Sequence, residues 1–394
     1  LRQRNLVWRL ARPLLVSALI GQVVAPLVRI ATSYRATDLD LSPQQVLLLS
    51  SAFSVLPMFL AVRMGRYNDL HGNGHAAIIG SALVLCACLM LVWPGGNLLW
   101  LVAVSIVLGL GQTFQLTGLQ GEIGMLRLPS QRSSMVGSLM FWQAVGQVAA
   151  PLLLSLVAIG LGRDALGLLS LRLALVASAL AAFGLGLGLL IWRNAAPPRV
   201  IGMDAARMRR IIAVPGFLWV IVAGSLCVAV HDLVLVFMPV LGVARGIAAT
   251  EVGVLLAMFA IGQMISRACY RRVVLWWGPR RLMYGAVLAT ALASSALALP
   301  LGTVATGAAL GLTGLSMGFA ITSSVSLTMD LAPRGARATS LGLRLALNRA
   351  GQFLIPLASG GAAAALGPGA VFALLGAILC GVGLSGSRQM LRKC

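Results

Sequence analysis

Acidic side chains are scarce in this sequence. Nine Asp and Glu stand against 30 Lys and Arg in 394 residues, and only 10% of the chain is charged. The three histidines, His71, His75 and His231, form no paired-ligand or nucleophile–base arrangement within the apolar stretches, which argues against an intramembrane enzyme. The cysteines (Cys86, Cys88, Cys227, Cys269, Cys380, Cys394) show no metal-ligand spacing in a polar setting, and Cys86-x-Cys88 reads as core packing. A phosphate-cradling Gly-x-x-x-x-Gly-Lys loop is missing, which argues against direct coupling to ATP, and no cofactor or metal is expected. Period-two alternation is missing as well, so a closed transmembrane barrel is not indicated.

What fills the chain instead is apolar: 59% of residues are hydrophobic. Long segments carry almost no charge, and in lipid such segments must be helical, because the bilayer offers no partner to a free peptide group. Hydropathy and turn signals predict twelve spans: 11–34, 45–64, 76–93, 98–123, 134–160 and 168–192, then 214–242, 250–269, 282–299, 302–328, 339–362 and 368–387. The first is too long, with flanks too basic, to read as a cleaved signal peptide. The expected class is an all-α membrane protein with a six-helix half at 1–192, a basic linker at 193–213 and a second six-helix half at 214–394.

The net charge of +21 would suit a nucleic-acid binder, but its placement argues otherwise. With a cytoplasmic N-terminus, all but seven of the 30 basic residues fall in the N-tail, the even-numbered loops or the C-tail. Arg29, Arg35, Arg163, Arg172 and Arg245 lie toward the outer face, and Arg344 and Arg349 lie inside a helix. This is the positive-inside distribution, and it predicts a multi-pass protein of the cell's inner (plasma) membrane with both termini in the cytoplasm. The basic linker then meets anionic lipid headgroups and no nucleic acid is needed.

The second half repeats the first. Arg132, Gly137, Gly146, Gln147 and Pro151 recur 205 residues later as Arg337, Gly342, Gly351, Gln352 and Pro356. Gly109, Phe114 and Thr117 recur as Gly314, Phe319 and Thr322. In mid-half the offset is 206, taking Phe53, Met58, Arg66 and Gly72 to Phe259, Met264, Arg272 and Gly278. A duplicated helical bundle is a transporter architecture.

The segment Gly65-Arg66-Tyr67-Asn68-Asp69-Leu70-His71-Gly72-Asn73-Gly74-His75 reads as the loop after helix 2. It resembles the Gly-x-x-x-Asp-x-x-Gly loop signature of the major facilitator superfamily. A weaker copy at Arg271–Arg281 sits in the second half. The resemblance implies two six-helix halves working by alternating access, with helices 1, 4, 7 and 10 lining the cavity. It implies gating roles for Asp69 and Gly72 in a cytoplasmic latch facing the N-terminal end of helix 11, although Asn73, Gly74 and His75 replace the family's basic run. Gly146 to Pro151 in helix 5 is similar to a degraded antiporter segment; it serves packing first and leans toward export.

Polar residues inside spans are costly, so each is a functional candidate. The repeat separates them. Gln143 and Gln147 match Asn348 and Gln352 in the other half, which a shared scaffold explains. Arg344 and Arg349 match Leu139 and Ala144, and Asp232 matches Pro26, so the scaffold does not require them. Arg349 lies near mid-membrane, whereas Arg344 is near enough to the helix start to snorkel to the cytoplasmic face. His231 and Asp232 interrupt an apolar helix 7, and Asp232 is the candidate proton carrier, with Arg29 its expected partner at an outer gate. The alternative is that Arg29 snorkels outward and Asp232 serves a local polar pocket. Gln22, Arg29, Gln112, Gln115, Arg344, Asn348 and Arg349 are the substrate-binding candidates, and Glu122 and Asp330 join the inner gate.

These readings predict a monomeric proton-coupled secondary transporter of a small organic solute, with protons, membrane lipids and that solute as its partners. Efflux is slightly favoured, on the helix 5 segment, and the alternative is uptake of an organic anion by proton symport, toward which arginines among so few acids lean. A lipid flippase or a non-transporting membrane protein of the same fold is the remaining alternative.

Overall fold

The computed structural model describes residues 2–93, 96–124, 129–162, 165–195, 213–331 and 337–390. Among the described residues there are twelve helices: α1 (Arg2–Asp38), α2 (Pro43–His71), α3 (Asn73–Val92), α4 (Leu98–Gly124), α5 (Pro129–Val157), α6 (Leu166–Asn194), α7 (Phe217–Ala244), α8 (Ala249–Trp277), α9 (Pro279–Ala296), α10 (Thr303–Leu331), α11 (Arg337–Leu366) and α12 (Ala370–Met390). Nine are long and apolar enough to cross a bilayer by length and composition. The other three, α9, α11 and α12, fall short for local reasons: α9 has only 18 residues and opens on Arg280-Arg281, α11 carries Arg344 and Arg349, and the apolar part of α12 is Ala370–Gly386.

Two compact units divide the chain, one of residues 1–41 and 52–201 and the other of 42–51 and 202–394. In the first, α1 packs on α4, α5 and α6, and α3 on α4 and α6. In the second, α7 packs on α10 and α11, α10 on α8 and α9, and α9 on α12. The helices that occupy equivalent places, α1 and α7, are the most enclosed: 83% of each span is buried, against 33–56% for the other seven. The polar candidates on them are therefore the most costly to bury.

The repeat is preserved at the level of single backbone contacts. A Cβ on Gly109 of α4 would collide with the carbonyl of Phe53 on α2, and a Cβ on Gly314 of α10 would collide with that of Phe259 on α8. Gly146 of α5 lies against the Leu19 carbonyl, and Gly351 of α11 against that of Ser225, which occupies the equivalent place on α7. With no water between helices in lipid, close backbone approach of this kind is a main source of packing energy.

Helix 2 differs from its expected end. It does not stop near residue 64 but runs to His71, so most of the expected loop is helical. Three contacts hold the extension. The rings of Tyr67 and His71, one turn apart, stack at 4.3 Å; Tyr67 also meets Phe114 edge-on at 6.1 Å; and Asn68 Nδ2 donates to Thr117 Oγ1 at 3.1 Å. The chain turns only at Gly72, whose φ of 93° suits glycine and whose N–H bonds to the Asn68 carbonyl. Gly278 repeats this geometry, with φ 73° and its N–H on the Val274 carbonyl.

On the opposite side, the carboxylate of Asp38 accepts the Gly167 N–H at 2.9 Å in the first turn of α6 and pairs with Arg35 at 3.0 Å. In the second half Arg245, just beyond α7, donates from Nη2 to the Leu297 and Leu299 carbonyls at 2.9 and 2.8 Å. That places a cation on the exposed carbonyls at the C-terminal end of α9. Burial there draws its pKa down from the usual arginine value.

Candidate functional site

In the first half, α1 carries Gln22 and Arg29, both buried. Gln147 of α5 donates its amide to Gln22 Oε1 at 3.3 Å. The guanidinium carbon of Arg29 lies 4.5 Å above the centre of the Phe53 ring on α2, a cation–π arrangement that holds the charge inside the bundle. Arg29 is 7% exposed, so it does not reach outward in the manner of a snorkelling side chain.

The α4 stripe divides. Gln115 is buried and its amide reaches Ser81 on α3 at 3.3 Å, while its oxygen lies against Gly21 of α1. It fastens three helices of its own half together. Gln112, one turn away, is half-buried and makes no hydrogen bond with a described residue. Glu122 is 3% exposed, a carboxylate enclosed near the end of the helix. Gly72 forms the turn described above, and the side chain of Asp69 lies outside the described residues.

In the second half, Asp232 is 4% exposed in the middle of α7. Beside it His231 is half-buried, its Nδ1 3.1 Å from Gln263 Nε2 on α8 and its ring stacked on Phe259 at 5.6 Å. Phe53 and Phe259 are the same position in the two repeats. Each supports one ionisable side chain, Arg29 from α1 in one half and His231 from α7 in the other.

The α11 residues are all engaged within their own half. Arg344 is 6% exposed, and its Nε donates to Ser324 Oγ on α10 at 3.2 Å. Ser324 in turn donates to the Val220 carbonyl on α7 at 3.2 Å. Snorkelling, the simpler expectation for Arg344, is therefore replaced by a hydrogen bond across the helix packing. Asn348 sits one turn further along, with Ser225 Oγ 2.9 Å from its Oδ1. Arg349 is half-buried and donates to Gln352 Oε1 at 3.0 Å. Asp330 is exposed at the end of α10.

Sequence reasoning did not single out four participants. They are Ser324, Gln263, Phe53 and Ser81. For Ser324 a signal was available, because its counterpart at the 205-residue offset is Leu119. Among the described residues, no three His, Cys, Asp or Glu side chains gather into a group able to hold a metal ion. A surface pocket between α3, α4 and α6, lined by Leu85, Cys86, Leu89, Trp93, Trp100 and Leu185, is apolar and contains none of the polar candidates.

Residues 14–356 match the family model of the Major Facilitator Superfamily. No curated protein matches the sequence. Three solved structures share the fold at low identity. The nucleoside transporter NupG has TM-score 0.75 and 15% identity over 99% of this chain and 100% of that one. A POT family transporter in complex with 5-aminolevulinic acid has TM-score 0.80 and 11% identity over 97% and 96%. A D-xylose-proton symporter has TM-score 0.78 and 12% identity over 98% of each.

Proposed function

The chain belongs to the major facilitator superfamily, a family of multi-pass membrane transporters, and on that premise we propose that it is a proton-coupled secondary transporter of a small organic solute, working by alternating access in the inner (plasma) membrane with both termini in the cytoplasm. The observation that carries the coupling is Asp232. It is an enclosed carboxylate, next to His231, on the most buried helix of its half, where the repeat has Pro26 and needs no acid. An ionisable group in such a place is by default a functional candidate, and proton relays are among the roles such groups serve. Proton symport in the D-xylose symporter, which shares the fold, is consistent with this reading.

Direction does not follow from α5. Gly146 packs on the Leu19 carbonyl just as Gly351 packs on that of Ser225, so the segment that leans toward export has the same use in both halves. The test therefore reads direction and coupling together. Solutes found by thermal stabilisation of the purified protein are followed in proteoliposomes under an imposed pH gradient. Wild-type protein is expected to accumulate or expel solute according to the gradient, and Asp232→Asn to move solute only down its own concentration gradient. Unchanged coupling in Asp232→Asn removes the proton-carrier role.

A further inference from the structure

The two halves treat one equivalent place in opposite ways. In the first half Leu14, Ala18, Leu119 and Leu139 belong to one buried apolar cluster. Their repeat counterparts in the second half are Val220, Gly224, Ser324 and Arg344. All four positions differ between the halves. Arg344 stands where the first half has Leu139, Ser324 stands where it has Leu119 of the same cluster, and the glycine at 224 leaves the room that a methyl group would take from the Ser324 hydroxyl. The Val220 carbonyl then accepts the hydroxyl proton, so Ser324 presents a lone pair to Arg344 Nε.

That arrangement fixes one edge of the guanidinium and leaves the other. Nη1 and Nη2 carry four N–H groups and make no hydrogen bond with a described residue, and no described carboxylate pairs with Arg344. The second amide atom of Asn348, one turn along the same face of α11, is likewise unbonded among the described residues. An arginine with 6% exposure, about 10 Å along a membrane helix, is too costly to retain as packing when the other half closes the same place with leucine. A planar fork with two N–H pairs that no described residue takes is the geometry that binds a carboxylate through two parallel hydrogen bonds.

We propose that Arg344, held by Ser324 and flanked by Asn348, is a carboxylate-binding subsite within the second half, and that the transported solute is an organic anion. The inference rests on the transport reading above for its function, but not for the binding. The carboxylate of the solute takes the two terminal nitrogens, and no covalent step is involved.

The test compares short aliphatic and aromatic carboxylates, from lactate to benzoate, with their uncharged amides as ligands of the full-length protein in lipid nanodiscs. Thermal stabilisation and calorimetric titration are the readouts. Wild-type protein is expected to bind at least one carboxylate and to bind its amide about ten- to a hundred-fold more weakly, the scale of one charge-assisted pair. Arg344→Gln should abolish the preference, and Arg344→Lys should restore part of it. The double variant Ser324→Leu with Arg344→Leu rebuilds the leucine pair of the first half. It should fold and melt at or above the wild-type temperature while binding no carboxylate. Equal binding of acids and amides, absence of binding to every carboxylate, or retained preference in Arg344→Gln each overturns the subsite. The transport reading fails separately, when wild-type proteoliposomes move no bound solute under a pH gradient.

Discussion

Arg29 lies over Phe53, its guanidinium carbon 4.5 Å from the ring centre, with 7% of the residue exposed. A cation so placed gains about 0.5–2 kcal/mol from the face of the ring, which offsets part of the several kcal/mol it loses in hydration. Phe53→Leu keeps most of the apolar volume and removes the ring. The melting temperature should fall, and further than in Phe183→Leu, where the ring is 59% exposed. In an Arg29→Gln background the Phe53→Leu penalty should shrink, and a double-mutant cycle on melting temperatures measures the difference.

How far the sequence reveals this molecule varies with the physical term that decides each feature. The twelve helices and their repeat are legible because apolar length and shared glycines are local signals. The helical extension of α2 is not. Asn68 and Asp69 carry turn chemistry, and the contacts of Tyr67 with His71 and Phe114 and of Asn68 with Thr117 override it until Gly72. Arg344 is legible in the sequence as a residue of one half only, yet its depth on a single helix also allows snorkelling. What holds it is Ser324 on another helix, and a residue offset along one helix does not reveal a partner across the packing. Gln115 shows the converse: the family resemblance puts it on a helix expected to line a cavity, and the structure turns it toward Ser81.

The symmetric glycines give a sharp stability test. Gly109→Ala drives a methyl group into the Phe53 carbonyl, and Gly314→Ala drives one into that of Phe259. A backbone carbonyl in mid-helix cannot swing aside, so the helices must separate, at a cost of about 1–3 kcal/mol or more. Gly186→Ala, where a Cβ meets nothing within 4 Å, should be neutral or slightly stabilising. Yield of monodisperse protein and melting temperature rank the three. Equal behaviour would mean that α2–α4 and α8–α10 do not pack this closely.

At the end of the first half away from Gly72, Asp38 caps α6 through the Gly167 N–H at 2.9 Å. A carboxylate at a helix N-terminus combines a hydrogen bond with a favourable dipole, so Asp38→Ala should lose about 1–2 kcal/mol and Asp38→Asn less. Arg35→Ala should matter little, because the Arg35–Asp38 pair is partly solvated, at 23% and 29% exposure. Proteolysis within the 158–165 connection reports the order, with Asp38→Ala cut fastest.

The final test concerns whether His231 takes part in coupling beside Asp232. Gln263 Nε2 lies 3.1 Å from His231 Nδ1, and Phe259 covers the ring, so Gln263 is the neutral partner best placed to influence its protonation. Gln263→Glu places a carboxylate within hydrogen-bond reach, which favours the imidazolium form, so the proton is held to higher pH. If His231 exchanges the coupling proton, the midpoint of the transport pH profile should rise by about one unit in Gln263→Glu. Gln263→Leu removes the hydrogen bond without adding charge and should give no such rise. Gln263 is 1% exposed, so each variant must first be shown to be monodisperse. A midpoint that stays in place in a well-folded Gln263→Glu protein, together with uncoupling in Asp232→Asn, assigns the proton to the carboxylate alone and leaves His231 as its support.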